Sequence, residues 1–159
     1  MFDLVDGLPV HPLVVHAVVV LLPLAVLGTI AIAAKPTWRA SYGWLVVGIA
    51  AVATVLVPVA TSSGEALEER VGDPGEHAEL GDQLIWFAIA LLLFSFLMVY
   101  LDRRKAAGKP AIGPSALPMV VTVLAVVAAL ATTVQVYRVG DSGARAAWGD
   151  KVGSSSSAP

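Results

Sequence analysis

Four stretches of this chain, 12–34, 41–61, 83–101 and 115–137, contain no Asp, Glu, Lys or Arg, and each is long enough to cross a bilayer as a helix. The hydrocarbon layer is about 30 Å thick and takes roughly 20 apolar residues at about 1.5 Å of rise each. No water is present there to pair exposed amides and carbonyls, so each stretch must satisfy its own backbone as an α-helix. Pro23 and Pro58 fall inside two of the stretches, where a kink is expected and neighbouring helices tolerate it. With 57% hydrophobic and 14% charged residues, the chain has too little polar surface for a water-soluble domain. The expected fold is all-α, an integral membrane four-helix bundle forming one domain over 1–152, with a flexible polar tail at 153–159. Small residues at helical spacing, Ala50 with Thr54 and Ala125 with Ala129, suit close helix packing. No internal repeat is visible.

Charge then orients the bundle. The segment 35–40 holds Lys35 and Arg39, and 102–114 holds Arg103, Arg104, Lys105 and Lys109 against Asp102 alone. The segment 62–82 instead holds Glu65, Glu68, Glu69, Asp73, Glu76, Glu79 and Asp82 against Arg70 alone. Basic loops stay in the cytoplasm, so the acidic loop and both termini are expected outside, across a bacterial cytoplasmic membrane. Trp38, Tyr42, Trp44 and Tyr100 flank the inner ends, and Trp86 and Tyr137 the outer ends, as interfacial anchors do. The leader "MFDLVDGLPV" carries Asp3 and Asp6 and no basic residue, so the first stretch reads as a permanent helix rather than a cleaved signal. A net charge of −2 offers nothing to nucleic acid.

This orientation places all three histidines, His11, His16 and His77, in one outer layer. Pro12 suits a first helical turn, which puts His11 at the helix entrance. Five helical positions turn the His11 and His16 rings about 140° apart, so one helix cannot aim both at one metal ion. If both served one site, His11 would have to lie on a non-helical lead-in. An ionisable residue inside a span is costly and usually faces the bundle interior, which favours a role for His16. In "DPGEHAEL", Asp73 reads as N-cap, Pro74 as the first helical residue and Glu76 as its capping-box partner, so the third helix is expected to begin near 74 with His77 in its first turn. The absence of cysteine removes thiolate ligands, disulfides and cysteine nucleophiles. "GDSG" at 140–143 matches the nucleophile stretch of double-barrel serine proteases, but it follows a membrane helix in a chain too short for that fold. Here Gly140 is expected to end the fourth helix, with Asp141 or Ser142 capping a short one and Trp148 resting at the interface. The acidic run in 62–82 fits no calcium loop and reads as a solvated surface.

"HPLVVH" opening the first span, "SSG" closing the second, a histidine starting the third and a glycine-rich segment after the fourth resemble bacterial membrane proteins grouped as domain of unknown function 2231. The resemblance covers about residues 8–152. It is carried by His11, Pro12, Val15, His16, Ser63, Gly64, His77, Gly140, Gly143 and Gly149, with HP-x-x-VH as the specific motif. One departure is that a proline often follows the second histidine, where this chain has Ala17 and Val18. The family has no assigned activity; the resemblance implies that the histidine layer is a family feature.

Two functions of different class follow. In the first, His11, His16 and His77 hold a divalent metal, or His16 and His77 hold haem b with Arg138 and Arg145 pairing its propionates, for electron transfer with a respiratory or redox membrane partner. In the second, the bundle is a cofactor-free accessory subunit or proton-relay element, alone or as a homo-oligomer, with no enzymatic activity of its own. Solute transport is weaker, because four spans without an intramembrane charge offer little pathway.

Overall fold

The computed structural model describes residues 4–5, 8–72 and 75–153. A two-residue antiparallel bridge, β1 (Leu4–Val5) on β2 (Leu8–Pro9), leads into α1 (Val10–Ala34). Three further helices follow: α2 (Pro36–Val71), α3 (Glu76–Ala106) and α4 (Leu117–Gly153). All four are long and apolar enough to cross a membrane. α1 and α2 run unbroken through Pro23 and Pro58. Lys35 alone separates α1 from α2, and Pro36 starts α2 where its missing N–H costs no hydrogen bond. A longer link, with Gly108 and Gly113 at positive φ, joins α3 to α4. Consecutive helices pack antiparallel, α4 closes back on α1, and α1 and α3 scarcely touch, so they stand on one diagonal of the bundle.

The core is small-residue packing of the kind membrane helices need, since lipid supplies no hydrophobic drive between them. Leu22, Ala25, Ala50, Ala53, Val57, Ala88, Leu91 and Ala129 form its centre. A second cluster of Ile32, Val46, Met98, Val99, Val121 and Ala125 fills the other end. Ala50, Ala125 and Ala129 are fully buried, and Thr54 bonds the carbonyls of both Ala50 and Ala88, so the small pairs singled out in the sequence lie at helix contacts. Gln135, buried in α4, donates to Leu80 O of α3 at 2.8 Å. At the basic end Arg39 is buried rather than looped out: its Nε donates to Ile32 O at 3.2 Å and its guanidinium lies 3.5 Å from Asp102. Leu27, Val55, Leu93, Val127 and Val134 are exposed, as side chains facing acyl tails must be.

Two sequence expectations, the end of the fourth helix and the absence of a repeat, are corrected. Gly140 does not end the fourth helix: α4 continues to Gly153, with Ser142 bonding back to Val139 O and Asp141 paired to Arg145 one turn on at 2.8 Å. These local bonds and the alanines 144, 146 and 147 carry the helix past three glycines. The expected tail is helical through Gly153, and 154–159 lie outside the described residues. Further, α3 starts at Glu76 with Gly75 (φ 61°) before it; the proposed cap Asp73 and Pro74 lie outside the described residues.

The second correction is larger: the bundle is an internal repeat. Val18, Leu22, Ala25, Thr29 and Ile32 of α1 recur at a constant offset as Leu84, Ala88, Leu91, Ser95 and Met98 of α3, each buried. Likewise Val46, Ala50, Ala53 and Thr54 of α2 recur as Ala125, Ala129, Thr132 and Thr133 of α4. Thr54 donates to Ala50 O and Thr133 to Ala129 O, the same bond in each copy. Two helical hairpins, α1–α2 and α3–α4, thus repeat one packing pattern.

Candidate functional site

The acidic ends of the helices enclose a cavity of about 630 Å³, reached by all four. Its apolar floor includes Val18, Val57, Leu84 and Val136, and His11 and His77 both line it.

Each imidazole is held in the same way. His11, in the first turn of α1, sets Nδ1 2.9 Å from Ala60 O of α2. His77, in the first turn of α3, sets Nδ1 3.1 Å from Val139 O of α4 and 3.3 Å from Ser142 Oγ. A carbonyl only accepts, so Nδ1 carries a proton, and in the neutral ring Nε2 is the nitrogen with the free lone pair. No hydrogen bond from the described residues reaches either Nε2. The same two carbonyls accept from Ser63 and Ser142, each at 3.0 Å.

Both rings lie against a glycine one helical turn beyond the bonded carbonyl. A Cβ on Gly64 would stand 3.1 Å from His11 Cε1, and one on Gly143 2.8 Å from His77 Cε1. At Gly143 a side chain would force the ring to move, and at Gly64 it would crowd the ring by a few tenths of an ångström. The unit "carbonyl, serine, glycine" is Ala60, Ser63, Gly64 in the first hairpin and Val139, Ser142, Gly143 in the second. "SSG" and "GDSG", read from sequence as unrelated strings, are therefore one structural element in two copies. The walls repeat as well: Val57, Ala60, Thr61, Gly64, Leu67 and Glu68 of α2 correspond to Val136, Val139, Gly140, Gly143, Ala146 and Ala147 of α4, and all twelve line the cavity.

Charge breaks the repeat. Glu65, Glu68 and Asp82 line the cavity, whereas no lysine or arginine among the described residues does. None of these three carboxylates was singled out individually from the sequence, where they were read as part of a solvated acidic run.

The remaining sequence-expected residues fall elsewhere. His16 is exposed on the outside of α1, with Nδ1 bonded to Pro12 O of its own helix. The five-residue spacing has the effect that helix geometry requires: His11 is helical and faces in, and His16 does not share its cavity. Arg138 and Arg145 are exposed on α4 away from the lining, and Arg145 is paired with Asp141. Among the described residues no three His, Asp or Glu side chains are grouped so as to hold a metal ion.

A family model described as "Predicted membrane protein (DUF2231)" matches residues 7–156. No curated protein and no solved structure matches the chain.

Proposed function

Since the chain belongs to the DUF2231 family of membrane proteins, we propose that it is a multi-pass protein of the bacterial cytoplasmic membrane whose cavity binds a redox or metal cofactor at the outer face. The observation that carries this reading is the pair of imidazoles, each with Nδ1–H fixed on a carbonyl of the neighbouring helix and Nε2 left as a donor. Ligating histidines are oriented in this way, because the bond at one nitrogen sets the tautomer and raises the basicity of the other. Haem iron and divalent copper or zinc all accept neutral imidazole, and haem or copper would equip the protein for electron transfer with a membrane partner. An absorption spectrum and elemental analysis of freshly purified protein test the reading. A Soret band or a stoichiometric metal supports it. A colourless, metal-free preparation whose thermal stability is unmoved by hemin, copper or zinc defeats it.

A second reading, an accessory subunit without cofactor, draws on Glu69, Glu76 and Glu79, which are exposed outside the cavity lining, and on the surface imidazole of His16, placed to dock a partner or take up a proton. Replacing the three glutamates by glutamine would release a co-purifying partner under this reading. Retention of that partner would remove those carboxylates as its docking surface.

A further inference from the structure

The cavity lies between the two hairpins, and its walls are the repeated positions. Each hairpin contributes one imidazole, one orienting carbonyl, one serine and one glycine platform. Because α1 and α3 stand on a diagonal, His11 and His77 approach from opposite sides of the bundle. A site composed of two equivalent halves suits a ligand with two equivalent open positions.

From this arrangement, and resting on the cofactor reading above, we infer that the cavity is a haem site in which Nε2 of His11 and Nε2 of His77 are the two axial ligands, one from each hairpin. Donor number decides between haem and a bare ion. A porphyrin supplies four iron ligands and asks the protein for two, whereas a bare divalent ion asks for three or four. The described residues offer two imidazoles in one cavity and no grouping of three donors. Depth and shape agree: the floor is apolar, all four helices contribute, and about 630 Å³ falls within the range of cofactor cavities. Glu65, Glu68 and Asp82 lie on the lining with no lysine or arginine among the described residues beside them there, so the haem propionates turn from these carboxylates toward water at the mouth. The same carboxylates favour ferric over ferrous iron and hold the reduction potential low. His16 takes no part.

Hemin titration of the purified full chain in detergent tests this, read by absorption and electron paramagnetic resonance. One low-spin, six-coordinate haem per chain is expected. His11→Gly and His77→Gly should each give a five-coordinate, high-spin haem, returned to low spin by added imidazole, while His16→Ala leaves the spectrum unchanged. Should a glycine variant fail to fold, His11→Met and His77→Met read the same positions, since an axial thioether changes the spectrum without emptying the site. Glu65→Gln with Glu68→Gln should raise the potential without altering spin state. Low-spin haem that persists in either glycine variant without added imidazole, or that is lost in His16→Ala, overturns the assignment. Stoichiometric copper or zinc with no haem affinity overturns it too, while leaving the broader cofactor reading intact. Failure to bind hemin, copper and zinc alike removes both.

Discussion

At the scale of single residues, the two glycines under the histidine rings are the most exacting positions. Gly143→Ala would place a methyl 2.8 Å from His77 Cε1, closer than packed atoms allow, so the ring must swing off Val139 O. Under the proposed cofactor reading, affinity for the cofactor should fall by about tenfold or more, the usual loss when an orienting contact to a ligating histidine is broken. Gly64→Ala, with 3.1 Å available, should do the same more mildly. Gly48→Ala meets nothing within 4 Å and is the control; equal losses in all three variants would mean that the rings need no glycine platform. His11 and His77 were legible in the sequence as one layer at the acidic end of the bundle, because each opens a helix there. Their faces were not legible. α1 is apolar all round, so no polar stripe marks which side is buried, and the argument that an ionisable residue turns inward pointed to His16, which the structure leaves exposed. His16 satisfies Nδ1 on the carbonyl of Pro12, one turn before it, and so needs no buried partner.

At the scale of elements, helix contacts rest on a few polar bonds set among alanines. Gln135→Leu removes the 2.8 Å bond from α4 to α3 and leaves Leu80 O with its helical partner alone. A loss of about 0.6 kcal/mol is expected, the average for side-chain bonds between membrane helices, with about 1.7 as the upper bound, read by reversible unfolding in mixed micelles. An unchanged unfolding midpoint would show that this bond adds nothing to the packing of α4 on α3. Arg39→Ala should cost more, about 1.5–3 kcal/mol, since it removes the charge-assisted bond to Ile32 O and leaves half-buried Asp102 without its partner. Asp102→Asn should cost less than Arg39→Ala; the reverse order would place the stabilisation in the ion pair rather than the cap. Element type and number were legible from the charge-free runs alone. Element ends were not. The acidic-end turns of α2 and α4 carry charges and glycines that read as loop, yet both helices run on through them, α4 with the i,i+4 pair Asp141–Arg145 and alanines 144, 146 and 147.

At the scale of the whole molecule, the bundle has two chemically unlike ends, and charge bias predicts which faces the cytoplasm. The chain has no cysteine, so single cysteines at Glu69 and Lys105 can report sidedness directly. A membrane-impermeant thiol reagent added to whole cells should label position 69 and spare 105; the opposite pattern would put the cavity in the cytoplasm. The repeat itself escaped the sequence because α1 and α3 share few identities beyond His11 and His77, while the matches between α2 and α4, such as Ala50 with Ala129 and Ser63–Gly64 with Ser142–Gly143, lie at a different offset. What recurs is size and bonding capacity: Thr29 and Ser95, Ala53 and Thr132, a serine–glycine pair. The unequal links after α1 and α3 also shift the register between the two hairpins. The single-residue turn at Lys35 and the long link with Gly108 and Gly113 join otherwise matching halves, and that has an ancestral corollary. A half-length chain of two helices would own one imidazole and half a pocket, completed only by pairing with its twin and therefore hostage to its own concentration. Fusion in tandem frees such a protein from that dependence and lets the halves diverge, as Glu68 of the first hairpin and its counterpart Ala147 of the second already have.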